Sequence, residues 1–501
     1  MSHILLQIII VPPIASLFIL LTRHLIGRKA GWIAGCSLLY STVLLLMACV
    51  RVYHGEVIIE EYPFIDSAIT FGLLGDGLSL PVALIINGLC TALAFYAIHY
   101  IDHRIEAIYG DVDERTYLNH YTRFYSMFLG FPMGFMGVCL VKNMIAMYFF
   151  LEVLPIPLYF IMATFGYVDR VRVAMICLMW AVIGAAFFIA GFLMAYSQIG
   201  SFNIADMSNL AGNPMTPWII FILLIAILIK MAAFPFHVWM PWVHAEHPTC
   251  IAGLLAVYAN VAAYVMVRVI VFPLPADFKA FSIPLMIMAL ITMVYGSLLT
   301  MAQTDVKRFA ACSTISQLAY SLLGISALTI ASIEGGMFFF LGHIMGKTIL
   351  FSTAGILVYT TGTRDMRQMG GLAQKMPITA ALWIMGATML SGFPPMSSFP
   401  AEWVMFTGIF KTGLQTMPTG LMVAIFASGA IILTVAYTFR SVKIIFFGPL
   451  NPNLANDKIK DPPLTMSIPL LMIAAVSILL GLCPKLALNL FNNVIGVIPI
   501  P

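Results

Sequence analysis

A few ionisable side chains stand inside stretches that otherwise carry no charge. Lys230 lies in an apolar run with no other charge back to Asp206, and Pro235, Pro241 and Pro248 follow it with His237, His244, Glu246 and His247 among them. Glu152 sits in MYFFLEVLPIPLYF, and Glu402 in SGFPPMSSFPAEWVMF behind Pro394, Pro395 and Pro400. His343 and Lys347 sit in GHIMGKTILF, four residues apart and so on one helix face. Charge in hydrocarbon is expensive, and an ionisable group inside a span marks a function by default. Prolines remove backbone donors and break helices. Broken backbone survives at membrane depth only where protein buries it or water reaches it. Glu152, Lys230, His237, His343, Lys347 and Glu402 therefore read as stations of a proton or ion path.

Proton transfer needs groups that titrate. Desolvation lowers a lysine pKa and a nearby carboxylate raises it again. A Lys–Glu pair that approaches and separates would thus load and unload a proton, and Glu152 with Lys230 suits that role. The opposing readings are static ion pairs that hold helices together and, for Lys230, a lysine that snorkels to a helix end. Lys230 lies about 20 Å along its run at about 1.5 Å per residue, which argues against snorkelling. His244 and His247, beside Pro241 and Pro248, read as loop histidines. The run H-A-E-H lacks a helical face and further ligands, so no metal site is expected.

Composition sets the class. Of 501 residues, 61% are hydrophobic and 9% charged, whereas a soluble domain carries roughly 25% charged residues. The chain is an all-α polytopic membrane protein, with the lipid bilayer as its surroundings and no nucleic-acid partner expected. The net charge of +4 matters less than where the charges fall. Cys36, Cys49, Cys90, Cys139, Cys177, Cys250, Cys312 and Cys483 lie in or beside apolar runs without a C-x-x-C pair. They give no iron–sulfur, zinc or disulfide framework and read as small buried hydrophobes. No dinucleotide fingerprint occurs, so no cofactor is expected in this chain. The first apolar run, Ile4 to Leu21, leads into Arg23, Arg28 and Lys29 rather than a cleavage site, so no cleavable signal peptide is expected.

Apolar runs long enough to span fall near 4–22, 30–50, 77–100, 122–141, 143–165, 172–196, 217–240, 249–272, 281–303, 309–331, 334–360, 377–410, 420–447 and 464–490. They predict about fourteen transmembrane helices. The stretch VIIEEYPFIDSAITF predicts a short hairpin on the membrane surface. If the loop after the first span is cytoplasmic, only Arg51, Lys142, Arg268, Lys279, Lys411 and Lys485 face outward, and Lys230 and Lys347 lie within spans. The remaining Lys and Arg, Lys307, Lys458 and Lys460 among them, face the cytoplasm. That asymmetry sets the orientation and puts both termini on the non-cytoplasmic side of the plasma membrane. The seventh and twelfth spans are both broken, which matches two inverted five-helix repeats with sites at mid-membrane. The expected segments are 1–120 (helices 1–3 and surface loops), 121–275 (helices 4–8), 276–448 (helices 9–13) and 449–501 (helix 14).

F-P-F-H-V-W-M-P and H-A-E-H-P-T around Lys230 resemble the signature of the antiporter-like subunits of complex I and their relatives. Those relatives are the membrane arms of energy-converting hydrogenases and the large subunits of Mrp-type sodium/proton antiporters. FGLLGDGLSL (Phe71 to Leu80) and TDVKRFAACSTISQLAYSLLG, closing at Gly324, resemble further family stretches. The likeness covers roughly 70 to 450. Within it, Glu152 and Lys230 match the family's glutamate and lysine, His343 and Lys347 match its H-x-x-x-K, and Glu402 matches the acid of the subunit type similar to complex I subunit M.

Two positions depart from the pattern. Asn260 stands near the family's eighth-span lysine, where it could hold water but carry no proton. Gln317 stands where many relatives have His. The run before Tyr264 is one residue longer than the family's, which predicts a helix bulge. The chain also lacks the long C-terminal extension of the largest complex I subunit, which favours the M-like or hydrogenase type.

The resemblance implies a proton- or sodium-translocating subunit that carries no redox centre. Peripheral redox subunits would carry iron–sulfur clusters or other centres, and other integral membrane subunits would flank the chain. The alternatives are a subunit of an Mrp-type antiporter without redox chemistry, or a structural membrane-arm subunit whose pathway has lapsed.

Overall fold

The computed structural model describes residues 3–65, 69–455 and 459–500. Lys458, expected on the cytoplasmic face, lies outside the described residues. Among those described, twelve helices are long and apolar enough to cross a membrane. Two shorter apolar helices, Thr216–Lys230 and Pro377–Leu390, stand apart from that set. Each stops at a break where the sequence places prolines. After Lys230 the chain turns through 231–239 before the helix Met240–Glu246 begins. After Leu390 it turns through 391–397 before Ser398–Gln415. Ala232 (φ 48°) and Gly392 (φ 61°) take left-handed backbone at matching places in the two breaks. Alanine pays roughly 1–2 kcal/mol for that conformation, whereas glycine adopts it freely.

The chain packs as two compact units. One comprises 1–230, 264–280 and 487–501, the other 231–263 and 281–486. The division falls at Lys230, inside the expected seventh span. The same local design occurs in each unit. In the first, Asn143 caps the helix Met144–Val153 by accepting from the amides of Ile145 and Ala146, and it forms an isolated antiparallel bridge with Asn203. In the second, Asp305 caps Val306–Ser326 by accepting from Lys307 and Arg308, and it bridges Asp365 in the same way. Side-chain oxygens that satisfy the free amides of a first helical turn stabilise it by about 1 kcal/mol.

The hairpin expected near 57–71 is formed by the strands Ile58–Ile65 and Ile69–Gly75, which pair antiparallel with Tyr62 opposite Phe71. The Glu60 carboxylate accepts from the amides of Leu5 and Leu6 at 2.9 and 3.0 Å, which ties the hairpin to the open end of the first helix. Lys142 donates to Glu61 at 2.7 Å and holds that exposed carboxyl below its ordinary pKa.

Arg268, expected to be an outward-facing charge, is buried instead. Its guanidinium donates from both terminal nitrogens to Asp76, at 2.8 and 2.6 Å. A bidentate pair of this kind is what makes a buried arginine tolerable. The run before Tyr264, expected to bulge, is regular helix over Thr249–Val265, and a wide, π-helical turn follows it over Met266–Val271. The Tyr264 hydroxyl, just before it, donates to the Cys139 carbonyl at 2.6 Å.

Candidate functional site

The first unit holds Glu152 and Lys230. Glu152 closes the helix Met144–Val153, just ahead of a helix that begins with Pro155. Its Oε1 is buried without a hydrogen-bond partner. Lys230 is the last residue of its helix and is 2% exposed. Its stem packs near Gly184, where an added β-carbon would stand at an ordinary contact distance of 3.8 Å. Glu152 and Lys230 lie within electrostatic reach of each other, and Cys177 lies near the lysine. The acid and base that the sequence singled out are thus brought together in one interior.

The second unit holds His237, His343, Lys347 and Glu402. His237 sits in the break after Lys230, nearly buried, stacked on Phe234 at 5.5 Å with Tyr295 edge-on at 4.7 Å. Its Nδ1 has no hydrogen-bond partner. His343 and Lys347 are fully buried one turn apart on the helix Ile330–Thr361. The Lys347 ammonium donates to the Ala310 carbonyl at 2.9 Å and to the Ser313 hydroxyl. Both partners are neutral, unlike the carboxylate that normally accompanies a buried structural lysine.

Asn260 lies beside His343. Its amide nitrogen is 3.0 Å and its amide oxygen 3.2 Å from His343 Nδ1. An amide carries both donor and acceptor, so Asn260 can serve either tautomer of the ring. Asn260 thus makes a polar contact with His343 although it carries no titratable group. His343 Nε2 is buried and unpartnered.

Glu402 lies in the helix after the second break and is 8% exposed, with Oε1 unpartnered. It rests against the bend at Gly392. A β-carbon there would fall 2.3 Å from Glu402 Oε2, so the glycine serves both the left-handed backbone and the carboxylate. Tyr320 and Tyr437 lie within electrostatic reach. Gln317 donates to the Tyr437 hydroxyl at 3.2 Å, and the Tyr320 hydroxyl meets Thr434 at 3.0 Å.

Three assignments made from sequence are corrected here. His244 and His247, read as loop histidines, are fully buried at the end of the helix Met240–Glu246. Lys307, counted among the cytoplasmic loop charges, is also fully buried and donates to the His247 carbonyl at 2.6 Å. Their neighbouring prolines and charges resemble a loop, and only the tertiary packing reveals the burial. Among the described residues no cluster of three or more His, Cys, Asp or Glu could hold a metal ion.

A family profile described as "NADH:quinone oxidoreductase/Mrp antiporter, TM" matches residues 141–432. The NADH-quinone oxidoreductase subunit M of Rickettsia prowazekii is 30% identical over 360 residues, 70% of each chain. An NAD(P)H-quinone oxidoreductase chain 4-2 from Synechocystis is 27% identical over 464 residues, 90% of this chain and 80% of the relative. Among solved structures, a chain of the Mrp complex from Dietzia superposes with a TM-score of 0.86 at 18% identity, covering 99% of this chain and 97% of that one. A chain of respiratory complex I from Thermus thermophilus superposes at 0.85 and 22% identity, covering 99% and 100%.

Proposed function

The chain belongs to the NADH:quinone oxidoreductase/Mrp antiporter membrane family, and from that premise we propose that it translocates protons or sodium ions as the antiporter-like subunit of a redox-driven membrane complex. Electron transfer takes place in peripheral partner subunits, and this chain, together with neighbouring membrane subunits, turns it into ion movement. Moving one charge against 100 mV costs about 2.3 kcal/mol, which a modest redox step supplies. In this reading the two interrupted helices each make one crossing, for fourteen in all. Helices 4–8 and 9–13, within 121–275 and 276–448, are inverted repeats flanked by 1–120 and 449–501. The protein lies in the plasma membrane with both termini outside.

The observation that carries the reading is Lys347, buried with only neutral hydrogen-bond partners. A lysine held this way gains little as structural glue and is placed to give up its proton. Glu152 and Lys230 form the loading pair of the first unit. His237, His343, Lys347 and Glu402 continue the path in the second, with Asn260 as a link. The second reading is a sodium/proton antiporter without redox chemistry, since the matching family profile covers both kinds of subunit. Co-purifying subunits separate the two: quinone-reductase or hydrogenase-like subunits for the first, small antiporter subunits alone for the second.

Glu402→Gln keeps the shape at the bend and removes the titrating group. Ion translocation in vesicles should fall about a hundredfold with subunit content unchanged. Unchanged translocation removes Glu402 from the path. The orientation is tested by cysteine labelling at Lys460 and Lys485 in a background without the native cysteines. The two should react from opposite sides, Lys460 from the cytoplasm, and labelling from one side sinks the fourteen-crossing arrangement.

A further inference from the structure

We propose that Glu402, Gln317, Ser321 and Ser398 form a binding site for a sodium ion inside the second unit. The inference rests on the translocation reading above and names its ion. Gln317 Oε1, Ser321 Oγ, Ser398 Oγ and Glu402 Oε1 are all buried without a hydrogen-bond partner. Gln317 and Ser321 lie one turn apart on the helix Val306–Ser326, and Ser398 and Glu402 one turn apart on Ser398–Gln415. Both helices close on glycines of the helix Ile330–Thr361. A β-carbon on Gly336 would fall 3.3 Å from the Ser321 carbonyl oxygen, and one on Gly335 would fall 2.3 Å from the nitrogen of Met405, just beyond Glu402. Ser321 and Glu402 thus lie within a turn of the same height. Gly342 gives the Ser398 hydroxyl a similar approach, since a β-carbon there would fall 2.6 Å from it. Tyr437, which Gln317 contacts, lies within electrostatic reach of Glu402 and joins the two pairs.

The chemistry of these four oxygens selects the ligand. A carboxylate and an amide oxygen only accept. The Gln317 amide nitrogen is engaged elsewhere, by Thr434 Oγ1 at 3.4 Å and the Tyr437 hydroxyl at 3.2 Å. A buried hydroxyl on a helix can donate to the carbonyl one turn back. Thr348, Thr353 and Thr438 do so, at 2.8, 2.7 and 2.7 Å. The hydroxyls of Ser321 and Ser398 make no such bond and stay available to a ligand. Oxygens rich in lone pairs and poor in donors suit a hard cation. The single carboxylate balances a monovalent ion and would leave half the charge of a divalent one uncompensated in the interior. Close helix contact at Gly335 and Gly342 selects the smaller common monovalent cation, sodium over potassium. Protonating Glu402 removes the balancing charge, so a proton and a sodium ion exclude each other at this site.

The test is equilibrium binding of radioactive sodium to the purified whole complex. Ser321→Ala and Ser398→Ala should each weaken saturable binding by about tenfold, the loss of one contact to a charge. Gln317→Leu should abolish it, and lowering the pH should weaken it in the parent. Parental sodium binding in an assembled Gln317→Leu complex overturns the site, and displacement by an equal concentration of potassium overturns the choice of sodium. Should the variants fail to assemble, cryo-EM maps of the unsubstituted complex in sodium chloride and in choline chloride decide. Density touching both Glu402 and Gln317 in sodium alone is expected, whereas the same density in both salts is water and overturns the site. Lys230→Ala separates the two readings, because it should bind sodium as the parent does and translocate none. If it translocates fully, the translocation reading falls and the inference with it, whereas unaltered sodium binding in Gln317→Leu removes only the site.

Discussion

Lys230→Arg is expected to bring coupled ion translocation to background although the positive charge is kept and the complex still assembles. Lys230 is buried at the end of its helix, within reach of Glu152 and against the small residue Gly184. The proposed cycle needs the lysine to release its proton when the carboxylate withdraws. Arginine keeps its proton at any relevant pH. Lys230→Ala and Glu152→Ala should fail as well, because each removes the alternation itself. If the pair only held helices together, arginine would substitute nearly as well as lysine. Ion translocation measured in vesicles, with subunit content checked on the same samples, decides between the two. A fully active Lys230→Arg protein rules out lysine deprotonation as the transport step.

Asp76→Ala should leave too little folded protein for assembly. Asp76 accepts both terminal nitrogens of Arg268 and the amides of Leu78 and Ser79 at 3.1 and 2.9 Å, so it also starts the helix Ser79–Tyr109. Removing one partner of a buried pair strands the other charge and costs about 3–5 kcal/mol. Loss of its hydrogen bonds to the Leu78 and Ser79 amides adds to that cost. The double variant Asp76→Leu with Arg268→Leu strands no charge and should be markedly more stable than the single. Thermal unfolding of the purified complex reports both, and an Asp76→Ala protein as stable as the parent overturns the account. Burial works to raise the Asp76 carboxyl pKa, but the Arg268 guanidinium and the hydrogen bonds hold it below its ordinary value. The unfolded carboxyl titrates near about 3.9, so the pair's contribution is complete above that pH and is lost as pH falls through the lower folded value. Mild acid should therefore spare it.

Charges in an apolar background are conspicuous, and that made Glu152, Lys230, Lys347 and Glu402 legible in the sequence. The breaks were legible because prolines announce them. His343 came with Lys347 through helical spacing. What stayed hidden depends on contacts distant along the chain. Asp76 and Arg268 are 192 residues apart, and nothing local in either stretch points to the other. Lys307 sits among the loop charges of TDVKR, and His247 sits between Glu246 and Pro248. Local sequence records polarity, whereas burial depends on which interior the chain turns into. The division at Lys230 was hidden for the same reason, because hydropathy measures length in lipid and not which neighbours a helix packs against.

The wide turn over Met266–Val271 gives one helix two registers. An ideal α-helix advances about 100° per residue, so an added residue would ordinarily rotate everything beyond it. A wide turn takes such an addition up within its own length. A single residue inserted within this turn is thus a change the chain can survive, because the wide turn takes it up locally and Thr249–Val265 keeps its facing.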